Sequence, residues 1–460
     1  MIKKIITSWS NIEGSVNTTE KLLSWIKQKN EETFVKVEEV PFSKSDFWFY
    51  DDYNGEILNQ KRSFFSISGM RYFKNGEFVS EQPVIIQPEI GYLGIICKEI
   101  DGVLNFLMQA KIEPGNINCV QISPTIQATK SNFTRVHGGK LPAYFEYFEK
   151  SHRYTVIYDQ IQSEQTSRFY KKRNRNIVIL VDEDIEVLPD FQWMTLGQLK
   201  YLMSIDNLVN MDTRTVISGL PVIDTLDVID NKYDLSSLFS DLAFYNSMYQ
   251  GKSNIQTAFN RLNDYKMFFD MESVKIPLNQ LVDWKVTDSG IICNKKSDFL
   301  VSFYDIHISG REVTEWMQPL FKAIGKATFV LVSSIKNGKR LFLISIIDEI
   351  GTFDKVEFGP TVQWYSNHLD INNDEIENKI KLFIKDKNNC LYDVLLSEEG
   401  GRFYHEQNRN VILDVPFFCI NNSELKKKYI WVDYRDLNLM IQFSHNINIQ
   451  LRNLLSLLKL

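Results

Sequence analysis

No window of the chain reaches the roughly 18 apolar residues that a membrane-spanning helix needs, so no helical membrane span is expected. Lys3 and Lys4 lack the apolar run of a secretory signal behind them, and a cytoplasmic location is the expectation. A basic excess is missing as well: the net charge is −6, whereas nucleic-acid binders carry a positive stripe. The five cysteines (Cys97, Cys119, Cys293, Cys390 and Cys419) contain no CxxC pair, so they give no zinc framework and fit free thiols in a reducing compartment. There is no Walker A loop, no GxGxxG opening a helix after a strand, no HExxH and no GxSxG elbow. The signatures of P-loop ATPases, Rossmann oxidoreductases, zincins and α/β-hydrolases are therefore absent.

What is present is an ordinary globular composition, 44% hydrophobic and 24% charged, over 460 residues, enough for two or three domains. Asn17-Thr-Thr-Glu20 reads as a helix start, with Asn17 as the N-cap and Glu20 at the third helical position, and Leu22, Leu23 and Ile26 follow on one face. Strand character follows at Phe34 to Val40, Arg62 to Ser68, Tyr92 to Cys97, Leu104 to Ala110 and Cys119 to Ser123. A short helix is expected near Pro142, a strand over Ile177 to Val181, and a helix capped by Thr195 that carries Leu199 and Leu202.

The second half repeats the first. Pro124-Thr-Ile-Gln127 recurs as Pro360-Thr-Val-Gln363, an offset of 236, which also aligns Glu113 with Glu349, Gly115 with Gly351 and Trp48 with Trp284. Arg168-Phe-Tyr170 and Asn174-Arg-Asn176 recur 234 residues later as Arg402-Phe-Tyr404 and Asn408-Arg-Asn410, and Trp193 meets Trp431 at 238. Collinear matches with small drifting gaps mark an internal duplication. The organisation expected is α+β: a first copy over 1–220, a helical connection over 221–265 and a second copy over 266–460. Each copy should be a mixed sheet flanked by helices.

Lys111 to Gly139 is the densest polar stretch. Ser123, Thr125, Gln127, Thr129 and Ser131 alternate with period two, as they would on one strand face lining a pocket for a polyhydroxylated ligand, or on a solvated edge strand. In Thr134-Arg-Val-His-Gly-Gly139 a glycine pair opens backbone amides to an anion, Arg135 can grip a diphosphate and His137 can move protons near neutrality. The second copy has Ile371, Asn373 and Asp374 where the first has Arg135, His137 and Gly138. The basic run Arg168 to Arg175 reads as a ligand wall, a solvated face or a set of structural ion pairs. Trp48 and Trp284 read either as base-stacking surfaces or as equivalent core residues.

The blocks Leu107-Met-Gln-Ala-Lys-Ile-Glu-Pro-Gly115 and Gln121 to Gly139, with Asn174-Arg-Asn176 and Trp193 to Gln198, resemble the NDP-hexose 2,3-dehydratases of deoxysugar biosynthesis. The likeness spans nearly the whole chain, although Ile350 replaces the proline of Glu-Pro-Gly in the second copy. The resemblance implies two Nudix-like folds without the Nudix metal signature, a homodimer, no cofactor and a nucleotide-linked 4-keto-6-deoxyhexose as substrate. It also implies a downstream 3-ketoreductase that captures the labile product. On chemical grounds His137 is the candidate base, Lys111 or the Gly138 amide the enolate partner, and Glu113 the acid if burial keeps it protonated; Tyr170 is a second candidate base. The candidate ligand wall is Thr125, Gln127, Ser131, Asn132, Thr134, Arg135, Val136 and Gly138, with Ser167, Arg168 and Arg175, and with Trp48 and Trp284 for the base. A non-catalytic sugar-nucleotide binder and a metal-dependent Nudix-type hydrolase are the alternatives.

Overall fold

The computed structural model describes residues 1–62, 64–134, 141–223, 235–310, 313–366, 374–420, 425 and 427–460. Each half holds a large mixed sheet of the same topology. In the first, the strands Thr155–Ser163, Arg173–Leu180, Gly91–Ile100, Val103–Ile112 and Phe191–Thr195 lie side by side, and only the pairing of Arg173–Leu180 with Gly91–Ile100 is parallel. In the second, Gln407–Asp414 runs parallel to Thr328–Lys336, and Lys339–Asp348 and Tyr429–Asp433 continue the order. The central strands are apolar runs because both of their faces are covered: Ile95, Cys97 and Val178 point into one hydrophobic cluster, and Ile96, Ile177 and Ile179 into another.

The expectation of one mixed sheet per copy is incomplete, because two smaller sheets are built by exchange between the copies. Val35–Val40 pairs antiparallel with Phe299–Ile308 of the second half, and its repeat Met271–Ile276 pairs with Ser66–Lys74 of the first. A second reciprocal contact locks the halves at the Glu-Pro-Gly motif. Gly115 donates its N–H to the carbonyl of Gly400 and accepts from His405 N, at 2.7 and 2.9 Å; Gly351 does the same with Thr166 and Lys171, at 2.9 and 2.8 Å. A Cβ at Gly115 would sit 1.7 Å from the Phe403 carbonyl oxygen and one at Gly351 would sit 1.8 Å from that of Phe169, so only glycine permits the approach.

The helices Met211–Ser218 and Ile449–Ser456 repeat the exchange with buried arginines. Arg214 donates to the Ser397 carbonyl, and Arg452 to that of Ser163. Burial lowers Arg214 to about 10, which leaves it charged at neutral pH. One hydrophobic cluster runs from Ile5 to Leu458 through both halves. The connecting segment contributes to it: Phe244, in the helix Leu242–Tyr249, meets the rings of Tyr434 and Phe342 at 5.0 and 6.4 Å.

Thr195 caps Leu196–Leu202 as read, in a reciprocal capping box with Gln198. The first cap falls one residue beyond Asn17: Thr18 caps Thr19–Glu32, and the Asn17 side chain donates instead to the Trp193 carbonyl. Three further readings shift. The strand expected from Arg62 starts at Ser66, because Arg62 takes a left-handed turn conformation (φ 51°). The helix expected near Pro142 is Phe145–Glu149. The helix Ile2–Ser10, which buries Ile5, Ile6 and Trp9, was not anticipated. Among the described residues, no helix is long and apolar enough to cross a membrane.

Candidate active site

A cleft of about 880 Å³ opens on the large sheet of the first half and is walled on its far side by the second. Its floor begins where Val103–Ile112 ends. Lys111 Nζ lies 3.6 Å from Glu113 Oε1 and donates to the Gln127 carbonyl at 3.1 Å, while the Gln127 amide donates to Glu113 Oε1 at 3.0 Å. Asn210, the N-cap of Met211–Ser218, orients that amide by donating to Gln127 Oε1 at 3.1 Å, and this places Asp212, in the helix's first turn, at the cleft. Glu164 accepts from Asn174 at 2.6 Å beside Lys172, and Glu399, Gly401 and Arg402 enter from the second half.

These groups are perturbed by being held together out of water. Burial, reinforced by Glu164, Glu399 and Glu113, pushes the Asp212 carboxyl well above the usual carboxylate range. Burial and Glu113 push Glu399 up to about 7. Burial lowers the Lys172 ammonium. Glu399 therefore exchanges between its protonated and ionised forms near neutrality, as a general acid–base group does.

The second half repeats the scaffold, with Glu398 in the place of Glu164, but carries no counterpart of Lys111, Asp212 or Glu399. Gln363 donates to Glu349 at 3.0 Å and Asn448 to Gln363 at 2.6 Å, matching Gln127, Glu113 and Asn210. Ile347, Gln450 and Gln165 stand where the first cleft has Lys111, Asp212 and Glu399. Tyr365 replaces Thr129, and its hydroxyl donates to Glu349 Oε1 at 2.6 Å, occupying the space that the first half leaves open.

The sequence-derived residues divide accordingly. Lys111, Glu113, Thr125, Gln127, Asn132 and Trp48 line the cleft. Thr125 is scaffold: it donates to the Leu107 carbonyl at 2.5 Å and accepts from Ile96 N at 2.9 Å, as Thr361 does with Leu343 and Val332. Asn132 closes a capping box with Thr129. The expected single strand face from Ser123 to Ser131 is broken at Pro124, since Val120–Ser123 and Ile126–Ala128 pair with different neighbours.

Several proposed ligand contacts lie elsewhere. Arg168 stacks on Phe299 at 4.1 Å and faces Tyr365, in the second half's hollow; its counterpart Arg402 takes that place in the cleft, stacked on Phe64 and Phe65 at 4.5 Å each. Ser167 lies beside Arg168, with its carbonyl bonded to Gln82. Arg175 is held in a bidentate pair with Asp159, at 2.7 and 2.6 Å. Trp284, 5% exposed, donates to the Glu81 carbonyl within the core between the halves, and Trp48, 2% exposed, to that of Met317. Thr134 donates to the Lys130 carbonyl, and Tyr170 bonds its backbone to Ile85. The Ser131 side chain and residues Arg135, Val136, His137 and Gly138 lie outside the described residues, as does the second copy's counterpart segment 367–373. The reading from sequence missed Asp212, Glu399, Arg402 and the half-exposed Trp316. The substitutions between repeats at 165/399 and 212/450 were the available signal.

Fold and cleft together define a duplicated α+β protein whose first half carries an ionisable cleft that both copies complete. The NDP-hexose 2,3-dehydratase family matches the chain twice, over residues 19–220 and 256–458. A dTDP-4-dehydro-6-deoxy-alpha-D-glucopyranose 2,3-dehydratase of Saccharopolyspora spinosa is 35% identical over 97% of this chain and 92% of its own length. Enzymes of the same name from Streptomyces violaceoruber and Amycolatopsis orientalis are 34% and 32% identical, over 94% and 98% of this chain and 95% and 93% of their own. The chain belongs to the NDP-hexose 2,3-dehydratase family, whose members are hydro-lyases.

Proposed function

We propose that this protein removes water across C2 and C3 of a nucleotide-linked 4-keto-6-deoxyhexose, with dTDP-4-keto-6-deoxyglucose as its substrate. The observation that carries the reading is the confinement of Lys111, Asp212 and Glu399 to one of the two repeated sites, in a chain with this family membership. The C4 ketone acidifies the C3 proton, so a base can remove it and leave an enolate. Lys111, held at the cleft floor, is the proposed partner of that oxygen. Loss of the C2 hydroxyl gives an enol that becomes the 3,4-diketo-2,6-dideoxy sugar. Carbon 3 is oxidised as carbon 2 is reduced, so the balance needs no external redox partner. His137 is the proposed base on sequence grounds alone.

The same reading takes each half as Nudix-like, the chain as a cytoplasmic homodimer, and a 3-ketoreductase as the enzyme that captures the product. It is supported by the repeated mixed sheets and by the lability of a vicinal diketone. Incubation with the dTDP-4-keto sugar and a 3-ketoreductase tests it: the reading expects a nucleotide sugar one water lighter before reduction. Released nucleoside monophosphate, or substrate recovered intact, contradicts it.

A further inference from the structure

Building on that dehydratase reading, we infer that Glu399, carried into the first half's cleft by the second half, is the general acid that protonates the departing C2 hydroxyl. The loop bearing it is fixed by backbone bonds to Gly115, and the Gly401 carbonyl accepts from Gln318 at 2.8 Å. A Cβ on Gly401 would fall 2.3 Å from Glu399 Oε1 and 3.6 Å from Glu113 Oε1, so both carboxyls border the same small space. Glu399 is only half-buried and lines the open cleft.

The three buried carboxyls that share the cleft, Glu113, Glu164 and Asp212, fit the role less well. Glu113 is engaged by Lys111 and accepts the Gln127 amide. Glu164 accepts Asn174 as its repeat Glu398 accepts Asn408, both at 2.6 Å, so that bond belongs to the shared scaffold. Asp212 is 2% exposed at the base of the cleft. At the position equivalent to Glu399, where the first half reaches across to the second half's hollow, the residue is Gln165, an amide that cannot donate a proton in this way. The acid is present only where Lys111 is present.

Electrostatics agree. Burial, Glu113 and Glu164 raise the Glu399 carboxyl to about 7, against the opposing pull of Arg402 and Lys111. The bonds balance as follows. The base takes the C3 proton, the electron pair forms C2=C3, and the C2–O bond breaks as its oxygen takes the Glu399 proton and leaves as water. The C3 enol then returns its hydroxyl proton to the Glu399 carboxylate, while C2 takes a proton from solvent and the base releases the C3 proton to solvent.

The test uses the full-length protein with the dTDP-4-keto-6-deoxyhexose and its 2-deoxy-2-fluoro analogue, whose fluoride leaves without a proton. Glu399→Gln, which imports the residue of the other repeat, should lose about 100- to 10,000-fold on the hydroxyl substrate while fluoride release stays within about tenfold of wild type. In the wild type, water elimination should fall as pH rises through about 7, because the protonated form is the active one, while fluoride release should not. Equal loss on both substrates by a folded variant, no loss on either, or parallel wild-type pH profiles would each overturn the assignment. A wild type that eliminates neither leaving group would overturn the dehydratase reading itself, and the assignment with it.

Discussion

Lys111 Nζ stands 3.6 Å from Glu113 Oε1 and is tied to the Gln127 carbonyl at 3.1 Å, whereas the equivalent Glu349 has Ile347 in that place and a tyrosine hydroxyl on its oxygen. The ammonium is thus dispensable to the scaffold, since the second half keeps the same Gln–Glu bond without it. Lys111→Met should therefore fold and melt like the wild type yet lose about 100- to 1,000-fold in turnover, the usual cost of removing one preorganised oxyanion partner. Turnover equal to wild type in a steady-state assay would remove Lys111 from the mechanism.

Nucleotide binding should depend on a tryptophan contributed by the second half. Trp48 is 2% exposed, packed on Phe65 at 4.8 Å and bonded to the Met317 carbonyl, while Trp316, on the exchanged sheet at the cleft mouth, is only half-buried. Stacking a base on an aromatic ring contributes about 1–3 kcal/mol, so Trp316→Ala should weaken dTDP about tenfold or more in calorimetry. Trp48→Ala should instead cost about 3–5 kcal/mol of stability in denaturant melts. The reverse pattern would place the base against Trp48.

How much of this was legible in the sequence depends on whether the signal was local. The duplication, the Thr195 cap and the floor residues Lys111, Glu113 and Gln127 could be read directly, because motif and repeat spacing carry them. The exchange of Val35–Val40 and Met271–Ile276 could not, since strand pairing between the two halves leaves no mark in either segment. That exchange also explains the misplaced arginine. Arg168 looked like a wall of its own copy's site, but the interlocked loops send it to the other half and bring Arg402 in its place. Asp212 and Glu399 were within reach, because each differs in charge from its repeat partner, Gln450 and Gln165.

Closing the cleft by the second half's own device should abolish binding. Tyr365 fills its hollow with a hydroxyl 2.6 Å from Glu349, whereas Thr129 leaves the space above Glu113 open. Thr129→Tyr should reach Glu113 in the same way, lowering affinity for the sugar nucleotide by about tenfold or more as ligand contacts worth over ~1.4 kcal/mol are lost. Calorimetric affinity unchanged from wild type would show that the ligand lies elsewhere.

The two glycine contacts should have matched effects on stability. A methyl at Gly115 or at Gly351 meets a backbone carbonyl of the opposite half at 1.7 or 1.8 Å, and backbone cannot swing aside as a side chain can. Gly115→Ala and Gly351→Ala should each destabilise the fold by about 3 kcal/mol or more in urea unfolding. Only Gly115→Ala should also impair turnover, because its partner loop carries Glu399. Equal activity losses from both would argue that the second site also turns over substrate.

The central claim, that this chain dehydrates a nucleotide-linked 4-keto sugar between C2 and C3, is tested most directly by following dTDP-4-keto-6-deoxyglucose with the purified protein in D2O by NMR and mass spectrometry. The account predicts loss of one water with the nucleotide–sugar bond intact, and deuterium from solvent at C2 of the product as the enol collapses to the diketone. A sugar that keeps its C2 hydroxyl, or a diphosphate cleaved to nucleoside monophosphate, would contradict it.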